Sequence, residues 1–225
     1  MIRARCLART LTLLRHASAN DKIGRRMTST DPTDTDPFVW FHAWMAEAEA
    51  SEPSDPNAMS VVTVGPGGQP SARIVLLKGV DLRGFVFYTN THSRKGGELA
   101  YNQLTSLLFY WKSLGRQIRI EGRVEAVTEV EADAYYATRA RISRLGAWAS
   151  DQSRPLSERS ELERRLQHFD DKYPGEAIPR PPHWSGYRVL PDRFEFWQNM
   201  PYRLHDRTIF ERASDGGWNR SKLFP

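Results

Sequence analysis

From residue 59 onward the chain is cut into short β-branched and aromatic runs: MSVVTVG (59–65), SARIVLLKG (71–79), GFVFYTN (84–90), LTSLLFYW (104–111) and GRQIRIEGRVEAV (115–127). PGGQP and DLRG separate the first three, and a short helical piece at 94–102 precedes the fourth. After the Pro-rich RPPHW, further strands read as YRVLP, RFEFWQN and the pair RTIFERA and WNRSKLF around Asp215-Gly216-Gly217. Short strands at hairpin spacing with few helices argue for an antiparallel barrel rather than a doubly wound sheet. The expected class is therefore mainly β with flanking helices.

Three helices stand out. Asp36-Pro37 reads as an N-cap and first helical residue. Phe38, Phe41, Trp44, Met45 and Ala48 follow at helical spacing, which predicts an amphipathic helix over 37–50. Thr128 and Glu131 make a capping box for a helix through about Arg139. A third helix, about 157–173, carries Leu162, Leu166 and Phe169 inward and a solvated charged face outward.

Residues 36–225 read as one domain and residues 1–35 as a flexible basic tail. The sequence pI of about 9.5 invites a nucleic-acid reading, but the charge is unevenly placed. Seven of the 32 Lys and Arg and one of the 27 Asp and Glu stand in residues 1–30, which leaves 25 basic against 26 acidic side chains in residues 31–225. The body has no field to steer it to a polyanion, so no nucleic-acid partner is expected. Met27 followed by Thr-Ser-Thr-Asp reads as a natural start, which places the protein in the cytoplasm; an Arg-rich mitochondrial presequence is the alternative. The apolar run Leu11 to Leu14 is too short to span a bilayer, so no membrane partner is expected. Cys6 is the only cysteine, which excludes an internal disulfide framework and a Cys-rich zinc site. The six histidines offer no metal-ligating pair on a plausible helix.

Four stretches carry the candidate chemistry. In SRKGGELAYN (93–102) Ser93 caps a helix whose first turn holds Arg94 and Lys95, where the helix dipole disfavours cations unless an anion lodges there. Arg73 and Lys78 stand at the two ends of an apolar run, on opposite faces of a strand. Tyr135, Arg139 and Ser143 are spaced i, i+4, i+8 and share a face if the helix continues, a suitable grip for a phosphate. In FEFWQNMPYRLHDR (194–207), Arg203, His205 and Arg207 fall on one face if the chain is extended, with Leu204 and Asp206 on the other. Three such groups repel unless something anionic or electron-rich sits among them. LGAWASDQS adds Gln152 and Ser153 as neutral hydrogen-bonders. Separate polar clusters among strand aromatics suggest two planar ligands that carry phosphates.

RIVLLKG, FVFYTNTHSRKGGEL, SLLFYWKSLGRQIRIEGRVE, LGAWASDQS and FEFWQNMPYRLHDR followed by KLFP together resemble the pyridoxine (pyridoxamine) 5′-phosphate oxidase family, in order from Asp36 to Pro225. The resemblance implies a split β-barrel homodimer with flavin mononucleotide (FMN) at the interface, so that each site takes residues from both chains. It implies oxidation of pyridoxamine 5′-phosphate or pyridoxine 5′-phosphate to pyridoxal 5′-phosphate, with O2 as acceptor and H2O2 as product. Carried over by position, Arg73, Ile74, Val75, Leu76, Leu77, Lys78, Tyr88, Thr89, Arg94, Lys95, Gln117, Gln152, Ser153, Trp197 and Arg207 look like flavin contacts. Lys78, Tyr135, Arg139 and Ser143 resemble the substrate-phosphate grip. Arg203, Leu204 and His205 resemble the substrate contacts, with Arg203 and His205 the catalytic pair against the ring. Departures are local: Thr138 and Ala140 flank Arg139 where the family often has Ser and Pro, Arg144 stands where Gln is frequent, and NMPY (199–202) is unusual. A flavin or deazaflavin reductase of other substrate and a non-enzymatic pyridoxal phosphate carrier are the rival readings.

Overall fold

The computed structural model describes residues 35–225; the readings of the basic tail and of Met27 lie outside them. Among the described residues nine strands form one antiparallel sheet: β1 (Ala58–Val64), β2 (Pro70–Leu76), β3 (Gly79–Asp81), β4 (Gly84–Asn90), β5 (Leu104–Trp111), β6 (Arg116–Ala126), β7 (Trp184–Gln198), β8 (Asp206–Arg212) and β9 (Trp218–Lys222). Their order is β2-β1-β5-β6-β7-β4-β3, with β8 on β7 and β9 on β8. β7 is the branch point. Its first half pairs with β4 and its last with β8, while β6 runs beside both. Just past β2 the chain reaches β4, where the Lys78 N–H donates to Val86 O at 2.8 Å. The sheet therefore curls without a continuous closing ladder, as a split barrel.

The core follows from strand periodicity. Thr105, Leu107, Phe109 and Trp111 of β5 are buried in alternation, as are Ile118, Ile120 and Val124 of β6. Helix α1 (Pro37–Ser51) packs over this core. Its first turn is fixed by Asp36 Oδ1, which accepts from the Phe38 N–H at 2.9 Å. Phe38 and Phe41 then meet Phe85 with ring centroids 5.6 and 4.8 Å apart, and Trp40 and Trp44 meet Phe196 at 5.4 and 5.3 Å. Full burial of such a side chain stabilises the fold by about 1.5–3 kcal/mol.

Several expectations are corrected. The run 71–79 splits, because Leu77 and Lys78 direct their N–H groups to Asn57 O and Val86 O as the chain crosses toward β4. YRVLP and RFEFWQN are one strand. Pro191 is accommodated because the β6–β7 register shifts at Glu121/Gly122, leaving Asp192 without a partner. Gly122 permits that approach, since a Cβ there would lie 2.0 Å from Leu190 O. The helix from Thr128 does not continue through Ser143. The capping box starts α3 (Glu129–Thr138), Arg139 turns extended (φ −75°, ψ 145°), and α4 (Arg141–Ala149) begins anew. The outer helix, α5 (Arg159–Lys172), buries none of its residues fully; Phe169 lies 5.6 Å from Trp148 of α4. Among the described residues, no helix is long and apolar enough to cross a membrane.

Candidate active site

Helix α2 (Arg94–Tyr101) begins at Ser93, whose hydroxyl accepts from the Gly96 N–H. That cap aims the first turn at a cavity of about 800 Å³ bounded by β2, β4, the α3–α4 corner and Ser150 to Ser153. Arg73, Ile74, Val75, Leu76, Lys78, Tyr88, Thr89, Arg94, Lys95, Tyr135, Arg139, Ser143, Gln152 and Ser153 all line it. Leu77 turns instead into the core.

Two cationic groups meet there. Arg73, Arg94 and Lys95 form the first. Lys95 is buried, and its ammonium donates to Thr89 Oγ1 at 3.0 Å, Ser93 Oγ at 3.3 Å and Gln152 Oε1 at 2.8 Å, all neutral. Burial, and then the charge of Arg73, lower its pKa to about 8. The second is Arg139. Its guanidinium lies 4.7 Å from the Trp184 ring centroid, and its Nη1 is buried with no hydrogen-bond partner. Burial pulls its pKa below the usual arginine value. Tyr88, Tyr135 and Trp184 stack beside it, with Tyr88 4.1 Å from Tyr135 and 5.4 Å from Trp184. The i, i+4, i+8 spacing does not describe one helix face, because the helix breaks at Arg139. Tyr135, Arg139 and Ser143 meet because a helix end and the next helix start face one cavity.

The remaining expected residues stand elsewhere on the chain. Gln117 pairs with Trp197, and Trp197 with Arg207, which sets the three in a row across β6, β7 and β8 on one face. His205 packs on Trp197 with ring centroids 4.6 Å apart. The expected extended run through Arg203, His205 and Arg207 is absent. Pro201–Arg203 form a 3-10 turn in which Tyr202 and Arg203 have φ of 58° and 63°. Pro201 starts the turn, and the strand alternation ends at Gln198. Arg207 already has a counter-ion, because its Nε donates to Glu195 Oε1 at 2.7 Å.

Trp184, Ser71 and Asn90 also line the cavity and were not anticipated. RPPHW flags a loop, but nothing in its spacing links Trp184 to Arg139. Arg144, the departure beside Ser143, takes no part in the cavity; it donates to Glu176 O at 2.7 Å and pairs with the Glu176 carboxylate.

The curled antiparallel sheet with flanking helices is the architecture of the FMN-binding split barrels. Residues 45–173 match the profile of the pyridoxamine 5′-phosphate oxidase family, and residues 184–225 match the pyridoxine 5′-phosphate oxidase C-terminal dimerisation region. The chain is 63% identical over 190 residues to a pyridoxine/pyridoxamine 5′-phosphate oxidase of Gluconobacter oxydans, covering 84% of this chain and 94% of that one. It is 53% identical over 218 residues to the Caulobacter vibrioides protein of the same name, covering 95% and 98%. Among solved structures, PhzG from Burkholderia lata, in complex with tetrahydrophenazine-1-carboxylic acid, superposes with a TM-score of 0.81 at 33% identity, over 87% of this chain and 95% of that one. A pyridoxamine 5′-phosphate oxidase-related, FMN-binding protein of Nostoc punctiforme shares the fold, with a TM-score of 0.69 at 16% identity over 86% and 100%. The chain belongs to the pyridoxine/pyridoxamine 5′-phosphate oxidase family.

Proposed function

We propose that this chain is an FMN-dependent oxidase that converts pyridoxamine 5′-phosphate and pyridoxine 5′-phosphate to pyridoxal 5′-phosphate, with O2 as acceptor and H2O2 as product. The observation that carries the reading is Arg139, a desolvated guanidinium with an unpartnered Nη1, in one cavity with a separate cationic group at Arg73, Arg94 and Lys95. A half-buried cation whose inner nitrogen lacks a partner is costly and calls for an anion. Arg139 fits a phosphorylated substrate, and the Arg73, Arg94 and Lys95 group, with three cations against the single carboxylate of Glu98, fits a phosphorylated cofactor.

Arg73, Arg94 and Lys95 fit the FMN phosphate. Ile74, Val75, Leu76 and Lys78, with Tyr88, Thr89, Gln152 and Ser153, follow the rest of the cofactor, while the Leu77 side chain supports them from the core. Lys78, Tyr135, Arg139 and Ser143 hold the substrate phosphate. Bound FMN supplies a two-electron acceptor that O2 regenerates. The substrate loses two electrons and a proton from C4′ and a second proton from the attached nitrogen or oxygen, which balances the two electrons and two protons that O2 takes up as H2O2; with the amine, water then hydrolyses the imine to the aldehyde and ammonia leaves. Gln117, Trp197, Arg203, Leu204, His205 and Arg207 lie outside the cavity of their own chain, which supports a homodimer in which they complete the partner's site. The match of residues 184–225 to a dimerisation region favours the same assembly. The reading is of one oxidase domain over 36–225 acting in the cytoplasm. The named relatives are bacterial and lend the presequence alternative no support.

The test is the visible spectrum of the purified protein. It should be yellow, bleach when pyridoxamine 5′-phosphate is added without oxygen, and release peroxide in air. A yellow protein that this substrate does not bleach would point to a reductase of other substrate, and a colourless one that binds pyridoxal phosphate to a carrier.

Lys95 gives a pH dependence. In the free protein it is charged below about pH 8, and an adjacent phosphate dianion favours the charged form. Binding above that pH therefore takes up a proton. Affinity for FMN should be fully present below pH 8 and fall about tenfold between pH 7 and 9. Fluorescence titration across that range, with Lys95→Met as the flat control, measures it; a flat wild-type profile would remove Lys95 from the phosphate.

A further inference from the structure

Behind Arg73 and Arg94 sits a carboxylate that is not part of the lining of this cavity. Glu98 of α2 is 8% exposed. Its Oε1 accepts from Arg94 Nε at 2.8 Å, one helical turn away. Its Oε2 accepts from Thr63 Oγ1, from Ser71 Oγ at 2.7 Å and from Arg73 Nη2 at 3.2 Å. The two hydroxyls act as relays. Thr63 Oγ1 also accepts from Arg73 Nη1, and Ser71 Oγ from Arg73 Nη2. A hydroxyl whose proton points at a carboxylate turns its lone pairs outward, so Glu98 fixes both hydroxyls as acceptors for Arg73. Burial pushes the Glu98 carboxyl up, but hydrogen bonds from Thr63, Ser71 and Arg94 outweigh it and hold the pKa at about 2. The group is ionised at any working pH. Space is reserved for it, because a Cβ on Gly65 would come within 3.2 Å of Glu98 Cγ.

We propose that Glu98 is the positioning residue of the FMN-phosphate site: it holds Arg73 from β2 and Arg94 from α2 in one orientation and trims the charge of the group. This inference rests on the assignment of Arg73, Arg94 and Lys95 to the cofactor phosphate. Three cations and one buried anion leave a net of two positive charges, the complement of a phosphate monoester dianion. Without Glu98, two long guanidinium side chains lose their common anchor and must be ordered by the ligand itself, at the cost of their rotamer freedom. Glu98 touches no reacting atom and acts only through its neighbours.

The test compares FMN with riboflavin, which has the same ring and ribityl chain but no phosphate. Both are titrated into the flavin-stripped protein by fluorescence quenching. Wild type should prefer FMN. Glu98→Gln, which keeps shape and loses charge, should weaken FMN about tenfold, roughly one charge-assisted hydrogen bond, and leave riboflavin unchanged. Ser71→Ala removes one relay with every charge in place and should weaken FMN a few-fold, again without moving riboflavin; it decides the matter if Glu98→Gln does not fold. Equal losses for both ligands, or FMN binding that is retained or tightened, would overturn the role of Glu98. A wild-type protein that binds the two alike would instead overturn the phosphate assignment itself.

Discussion

Replacing Arg139 with Ala should raise the KM for pyridoxamine 5′-phosphate roughly a hundredfold, with kcat within about twofold of wild type. A charge-assisted hydrogen bond contributes about 1.5–3 kcal/mol, and a guanidinium offers a phosphate two in parallel; about 2.7 kcal/mol corresponds to that factor. The phosphate is remote from C4′ and is held alike in ground and transition state, so the loss falls on KM. The fold should not suffer. Arg139 Nη1 has no hydrogen-bond partner and the side chain rests on Trp184, so its removal strands no counter-ion and relieves a desolvated charge. The thermal midpoint of the cofactor-free protein should hold or rise. Unphosphorylated pyridoxamine is the control. Its kcat/KM, low in wild type, should be the same in the variant. An unchanged KM for the phosphorylated substrate, or a loss shared by the phosphate-free one, would remove Arg139 from the phosphate grip.

The strands were legible because a half-buried strand writes its burial in alternation, as Leu107, Phe109 and Trp111 do. Helix starts were legible at Asp36 and Thr128 because capping is local chemistry. What failed depended on partners distant in sequence. Pro191 argued against a continuous strand, yet β6 supplies Gly122 and a bulge to absorb it. The alternation of Arg203, His205 and Arg207 argued for a strand, yet Pro201 starts a turn and the ladder resumes only at Asp206. Arg207 looked like one of three repelling cations until the pairing of β7 with β8 brought Glu195 to it. Glu98 carried no signal of its own, because an acid four residues from an arginine on a helix reads as an ordinary surface pair; only the arrival of β1 and β2 beneath it makes it a hub. The division of the expected site into a cavity and a separate β6–β8 row follows from the pairing of distant strands, and neither strand periodicity nor residue spacing encodes it.

The turn beside the β6–β8 row carries the other large effect. His205 stacks on Trp197, and its Nδ1 accepts from the Met200 N–H at 3.3 Å. That bond occupies Nδ1 and leaves Nε2 free, and we expect Nε2–H to donate to the phenolic oxygen of the substrate ring. Arg203, two residues earlier, is exposed and held in a left-handed conformation at φ 63°. Among the described residues its side chain has no hydrogen-bond or ion-pair partner. A non-glycine residue in that region costs about 1 kcal/mol or more and persists where surrounding structure imposes it; the turn leaves Arg203 exposed and outside the cavity of its own chain. We expect Arg203 to lie over the substrate ring and hold C4′ in register with its electron acceptor, where small misplacements cost roughly a hundredfold. Arg203→Ala should therefore keep its flavin and its dimer while anaerobic flavin reduction by pyridoxamine 5′-phosphate slows by about that factor. Arg203→Lys should recover little, because a point charge does not replace a planar guanidinium against a ring. His205→Asn should lose less, since one hydrogen bond is replaceable. Stopped-flow reduction of the Arg203→Ala protein at the wild-type rate would reduce Arg203 to a residue of the turn before β8, with no part in the chemistry.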